Sequence, residues 1–530
     1  MTTFSEKNSF THGSQMSNVD PGVEEQELAI SDSVNKTDAT YLYKENTKGE
    51  VIEKYLLPCP TADPADPLVW SQWRKHLAMI STCFFVFMSQ FANGSITPLI
   101  VPIIIDFNIS VDQATRLITL NILFTGVGNF FWIPLAQKIG RRPTFIGCAL
   151  LFFGCGIWCA VATTYSSLLG GRIIIGFAAA ACETLGVAIA SDLYFLHERG
   201  SMVSLYARKR SFMQGAGPAL GSVFGGLVVN ATNNWRWTMW LSAIPSGVCL
   251  LLVIFLIPET NFRRSVEATK VGMTSTNFAE LRRTLKLSHR KALGVTSWYD
   301  RETSLWTFFI RPIVLLPLPA VLYASLTYGV TLGWCVIQAT ANATAFPTLY
   351  NSSAIGVGNI NIGAFIGGIL GCVYGGPCSD FIVRWLSIRN KGQFEPEYRL
   401  WCMIGPFIFG PIGLMLWGGA LGSHLSLYMA IAGTGITYAV VCAVATIGIT
   451  YMVDSYKPLS VDTITVLQIF RGIFAFAVSF TVTPWTTNSG YVKMSGYMTL
   501  IEGGLLLTTI PLYMYGAQIR HWTIKKFNLY

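Results

Sequence analysis

Residues 172 to 192, RIIIGFAAAACETLGVAIASD, set Arg172 and Glu183 into a stretch otherwise apolar enough for a membrane interior. An ionisable side chain at mid-bilayer costs about 3 kcal/mol on insertion scales, so such residues mark function or specific pairing. A carboxyl in this setting can load and release a proton or face a cationic molecule, because burial disfavours its charged form. Its structural alternative is a fixed hydrogen bond to a neighbouring helix. Arg172 and Glu183 are eleven residues apart, which on a helix is about 20° of rotation and about 16 Å of rise. They share a face but cannot touch, so each needs its own partner or a water-filled cavity. Arg172 falls near one interface, where snorkelling is the structural alternative. Arg471 sits at a depth similar to Glu183, about 13 Å from the membrane surface, and is a candidate for an inner gate. Asp454 and Glu502 are further ionisable groups in or beside apolar runs.

The composition makes these positions intramembrane. The chain has 530 residues, 52% hydrophobic and 12% charged, against about 25% charged in soluble domains. Apolar runs of about the 20 residues that a bilayer core requires lie near 77–104, 116–137, 143–163, 168–190, 203–229, 236–258, 313–341, 354–378, 400–421, 425–452, 462–485 and 494–516. The predicted architecture is an all-α membrane protein with twelve transmembrane helices in two pseudo-symmetric six-helix bundles. Residues 57–258 form the N-terminal bundle and 312–516 the C-terminal one. A polar, acidic tail (1–56) reads as disordered and cytoplasmic, and 517–530 as a cytoplasmic C-tail. The linker 259–311 carries FAELRRTLKLSHRKAL, either an amphipathic helix on an anionic leaflet or a solvated connector.

Charge placement tests this count. With the N-terminus cytoplasmic, 32 of the 37 Lys and Arg fall in inside segments, as the positive-inside rule requires. The net charge of +9 therefore reflects orientation and gives no reason to propose nucleic-acid binding. Sequons at Asn108, Asn230 and Asn351 fall in predicted outer loops or at their edges, where glycosylation is possible. Most of the twelve cysteines sit inside apolar runs without the spacing of metal knuckles or disulfide scaffolds, so they read as small apolar fillers and no metal or cofactor is expected. Nucleophile motifs and a Walker pattern are absent, which argues against an enzyme and against ATP-driven transport. No feature calls for an obligate oligomer, so a monomer is expected.

Glycines recur every four residues at Gly217, Gly221 and Gly225, and again at Gly363, Gly367, Gly371 and Gly375. Each series makes a smooth stripe along one helix face that lets backbones approach. The two halves also share a loop pattern, IPLAQKIGRRPT after the second span and GPCSDFIVRWLSIRN after the eighth. Here the sequence resembles the major facilitator superfamily, whose signature in this loop is Gly-x-Leu-Ala-Asp-Arg-x-Gly-Arg-Arg. The first copy keeps Lys138, Gly140, Arg141 and Arg142 but has Gln137 in place of the Asp; the second keeps Asp380. In the family that Asp joins a charge network latching the cytoplasmic gate, so Gln137 implies at most a hydrogen-bonded latch in the first half. Arg172-x-x-x-Gly176, Gly217-Pro218-x-x-Gly221 and Pro258-Glu259-Thr260 match further family motifs. DPLVWSQWRKH, SDLYFLHERG, EPEYRLW and YMVDSYKP are similar to the fungal twelve-helix drug:proton antiporter group.

The resemblance implies a cavity walled by helices 1, 4, 7 and 10, with Gln90, Asn93, Tyr328, Trp334, Gln338 and Tyr438 as candidate lining residues. Helices 3, 6, 9 and 12 would be peripheral, which makes Glu502 structural. It places helices 5 and 8 side by side, so the glycine stripes would be the surface on which the halves rock; static close packing is the alternative. Arg172 would take part in proton coupling or cavity electrostatics. The expected function is secondary active, proton-coupled efflux of small organic molecules across the plasma membrane by alternating access. A proton-driven importer of an organic cation such as a polyamine, with Glu183 as counter-ion, is the alternative reading, and a non-transporting nutrient receptor a remoter one.

Overall fold

A computed structural model of the protein describes residues 43–45, 51–56, 59–61, 63, 65–262, 273–274, 305–350, 353–391, 393–456 and 459–527. The chain divides into two units, one of residues 1–60 with 264–284 and the other of 61–263 with 285–530. In the first unit β1 (Tyr43–Glu45), β2 (Val51–Leu56) and β3 (Met273–Thr274) form a small antiparallel sheet in the order β1-β2-β3. Two stretches of the expected disordered tail are thus strands, as the β-branched and aromatic side chains of Val51, Ile52 and Tyr55 favour. The linker segment 278–293 and the sequon at Asn351 lie outside the described residues.

The second unit is helical. Its main helices are α1 (Gln72–Gly94), α2 (Val111–Ile139), α3 (Arg141–Ala160), α4 (Tyr165–Leu193), α5 (Leu196–Thr232), α6 (Arg236–Leu256), α7 (Pro319–Leu349), α8 (Ala354–Val373), α9 (Ile404–Gly422), α10 (Leu427–Ser455), α11 (Ser460–Ser479) and α12 (Val482–Leu507). All twelve predicted spans are helix, in two sets of six. Local chemistry sets their ends: Ser110 and Gln113 make a reciprocal capping box at α2, and Thr164 caps α4. Gly140, at φ 118°, makes the turn between α2 and α3, in backbone space that an L side chain rarely enters. Span 8 continues past α8 through a wide turn at Tyr374–Cys378, where Pro377 interrupts the ladder, into a further helix, Ser379–Arg389.

Among the described residues, eleven helical segments are long and apolar enough to cross a membrane. The twelfth predicted span, 494–516, is also helical but is broken: α12, kinked at Gly490 (φ 70°) ahead of the span, ends within it at Leu507 before a new helix, Thr509–Phe527. Burial sorts the helices as the two-bundle architecture requires. In their most apolar windows α4 and α7 are 83% buried and α1 and α10 72%, against 33% for α6 and 44% for α3 and α9. The first group is central and the second faces outward, with α6 showing Trp237, Ile244, Leu251 and Phe255 to the surroundings. Such an apolar exterior is what lipid covers.

The two halves meet along two seams, α2 against α11 and α5 against α8. The predicted glycine stripes do not form them. A Cβ on Gly217 would meet Gln90, on Gly221 the carbonyl of Phe91, and on Gly225 the carbonyl of Ser95, all on or just beyond α1. Gly363, Gly367, Gly371 and Gly375 likewise press on Ile431, Gly435, Ala439 and Ala443 of α10. Each stripe therefore closes packing inside its own half. The seams use different small residues: Gly215 against Gly368 and Gly358 against Ser222 between α5 and α8, and Gly126 against Gly472 between α2 and α11. A helix with small residues on two faces can pack closely on both, and the four-residue period alone does not say which face meets which neighbour.

Candidate coupling and substrate site

Glu183 occupies the middle of the bundle with none of its surface exposed. Its Oε1 accepts from Gln90 Nε2 of α1 at 2.6 Å, and its Oε2 accepts from Gln468 Nε2 of α11 at 2.8 Å. The same Oε2 is salt-bridged to Nη2 of Arg471, also on α11. Arg471 then donates through Nη1 to the Tyr328 hydroxyl of α7 at 2.6 Å, and Gln214 Nε2 of α5 donates to that hydroxyl at 2.8 Å. The guanidinium carbon stands 5.2 Å from the Tyr328 ring centre. A carboxylate and a guanidinium from opposite halves are thus joined by a hydrogen-bonded chain that three further helices, α1, α5 and α7, hold in place. A buried pair of this kind is stable only when its remaining donors and acceptors are satisfied.

Arg172 is not part of this cluster. It is 1% exposed, which excludes snorkelling, and it donates to the carbonyls of Ala92 at 3.0 Å and Leu117 at 3.3 Å. Asn121 Nδ2 in turn donates to the Arg172 carbonyl at 2.7 Å. Arg172 therefore ties α4 to α1 and α2 through Nε and Nη1, while its Nη2 has no hydrogen-bond partner.

Above the pair lies a cavity of about 140 Å³, lined from both halves. Of the six predicted lining residues, Gln90, Asn93, Tyr328 and Tyr438 face it. Trp334 and Gln338 do not: Trp334 packs in an apolar cluster with Val330, Ile337 and Phe346, and Gln338 donates to Thr437 of α10 at 3.1 Å. Sequence reasoning missed Gln214, Asn361 and Gln468. Asn361 lines the cavity and bridges the α5–α8 seam by donating to Ser222 Oγ at 2.9 Å. Gln468 lies three residues before Arg471, one turn along the same helix face, and that spacing could have flagged it.

The loop after α2 binds the far side of the bundle. Gln137 Nε2 donates to Asp462 Oδ1, at the start of α11, at 3.3 Å. This is a hydrogen bond between halves at the position where the loop signature places an acid. Within the N-terminal half, Glu259 accepts from the backbone N–H groups of Arg141 at 3.0 Å and Arg142 at 3.1 Å, and Arg141 pairs with Asp192. Arg142 Nη2 donates to the Ile254 carbonyl at 2.8 Å. Lys138 is half-buried at the end of α2. In the C-terminal half Arg399 joins Asp380 at 3.1 Å and Asp454 at 2.6 Å. Glu502 is buried beside Gly410 of α9, away from the cavity-lining set.

Residues 82–479 match the family model described as Major Facilitator Superfamily. The chain belongs to the Major Facilitator Superfamily. Among the relatives of this facilitator are the MFS transporter cpaT of Aspergillus oryzae, 28% identical over 86% of this chain and 90% of the relative, and the cycloheximide resistance protein of Candida maltosa, 26% identical over 70% of this chain and 66% of the relative. The fold is similar to that of the proton:xylose symporter XylE, with a TM-score of 0.57 at 17% identity over 85% of this chain and 96% of that one. The facilitator is a multi-pass membrane transporter of the fungal group, and several of its relatives are named as MFS transporters.

Proposed function

We propose that this facilitator is a secondary active transporter that exports small organic molecules by alternating access, with Glu183 as the proton-binding group linked to the movement. The observation that carries the reading is the Glu183–Arg471 pair, which spans the two halves directly beneath a cavity lined from both. Protonation of Glu183 removes the charge that holds Arg471, so proton binding and the relation between the halves are linked through one contact. Movement of the halves against each other changes the side to which the cavity opens. Export is supported by relatives named for drug resistance and for a citrinin biosynthesis cluster. The reading places the facilitator in the plasma membrane as a monomer; the positive-inside distribution supports cytoplasmic termini, and exposed Asn108 and Asn230 suit glycosylation. The polyamine alternative would need Glu183 to leave the partners that now hold its oxygens, Gln90, Gln468 and Arg471.

Accumulation assays test the direction. In a fungal host stripped of its own exporters, cells expressing the wild type should hold less of a labelled compound panel than cells expressing Glu183→Gln. Higher accumulation with the wild type would make it an importer.

A further inference from the structure

Arg471 is the one charged side chain among the described residues that line the cavity. The polar remainder of the wall is neutral: Gln90, Asn93, Gln214, Tyr328, Asn361 and Tyr438 with a few hydroxyls. Glu183 stands behind Arg471, unexposed, with both oxygens accepting. The next charge on the cavity's α5 wall is again cationic. Arg210, which precedes the lining residue Ser211, is 1% exposed, and its Nε and Nη2 have no hydrogen-bond partner. Among the described residues, two guanidiniums and one carboxylate give this part of the bundle an excess positive charge. A buried unpaired charge is costly unless a counter-ion arrives, and guanidinium forks match the geometry of carboxylates.

From this inventory we infer that the transported molecules carry an acidic group, a carboxylate or an ionised phenol, which docks on Arg471 while their apolar body fills the cavity. The inference rests on reading the cavity as the substrate site. It gives Glu183 and the substrate acid one shared partner. When the acid takes its place on Arg471, it displaces the Glu183 carboxylate from that contact. Around Glu183 the charged, titratable and amide groups among the described residues are Arg471 and Gln468 of α11, Gln90 of α1, Cys182 of α4, Tyr206 and Arg210 of α5 and Tyr328 of α7; none of these is a second carboxylate. A cation in the same place would meet Arg471 with no free carboxylate among the described lining residues to offset it.

The probes are 2-naphthoate, 2-naphthamide and 2-naphthylmethylamine, of one shape and three charges. Binding to purified full-length protein is read by thermal shift, and movement by flux in vesicles. In the wild type, naphthoate should bind at least tenfold more tightly than the amine. Glu183→Gln, which frees Arg471 of its counter-ion, should bind naphthoate more tightly than the wild type. The uncharged pair Glu183→Gln/Arg471→Gln should lose the preference for the acid over the amide. Should that double variant fail to fold, the single variant decides, and equal or weaker naphthoate binding by Glu183→Gln overturns the proposal. An amine that binds as well as the acid also overturns it, as does an acid preference that survives in the double variant. If none of the three binds or moves, the cavity itself is misread; if the amide or amine is carried and the acid is not, the acid assignment alone fails.

Discussion

Glu183 and Arg471 were each legible as isolated ionisable residues in apolar runs, and the physics of burial says that each requires a partner. That they are each other's partner was not legible, because they lie 288 residues apart on helices of different halves. Periodicity fixes depth and face within a helix and says nothing about which helix stands opposite. The same gap explains Arg172, whose type suggested electrostatic work but whose neighbours turned out to be the carbonyls of Ala92 and Leu117. The pair gives a stability prediction at this scale. Arg471→Gln leaves the Glu183 carboxylate buried without its cation and should cost about 3–5 kcal/mol, seen as a lowered melting temperature. Adding Glu183→Gln should recover most of that loss; a double variant as unstable as the sum of the singles would show that the two do not interact.

Glycine spacing shows what can be read at the scale of elements. The period of four correctly marked faces of close approach, but two helices each carry a second small-residue face, and the seam between halves uses the one the period did not single out. Gly367 and Gly472 should therefore differ in the kind of damage they cause. A Cβ on Gly367 would collide with the Gly435 carbonyl within one half, so Gly367→Ala should lower stability by about 1–3 kcal/mol with turnover of the surviving protein little changed. A Cβ on Gly472 would come within 2.7 Å of Gly126 Cα across the α2–α11 seam. Gly472→Ala should leave each half folded and slow transport severalfold. Melting curves and flux per folded molecule, measured side by side, check both, and a reversed pattern would mean that the seam has been misassigned.

For the molecule as a whole, the twelve apolar runs and the lopsided basic loops sufficed to read two six-helix halves, because lipid imposes length and charge rules that soluble cores do not. The break in the last span was less legible, since the end of α12 at Leu507 and the new start at Thr509 depend on local backbone geometry that hydropathy does not register. Between the halves, Gln137 and Asp462 supply a neutral–acid contact. Gln137→Asp should place two carboxylates face to face there, separating α2 from α11 as read by spin-label distances between the two helices. Gln137→Asp/Asp462→Asn should bring them back together, and a gap that persists in the double variant would show that the contact does not hold this end. The central claim is that Glu183 links proton binding to substrate movement, and its most direct test is pH-gradient-driven flux of the naphthyl probes in vesicles with wild type and Glu183→Gln. The account predicts that an imposed gradient accelerates net flux of the carried probe by the wild type, while the variant exchanges labelled for unlabelled probe but ignores the gradient. Undiminished gradient dependence in Glu183→Gln would contradict it.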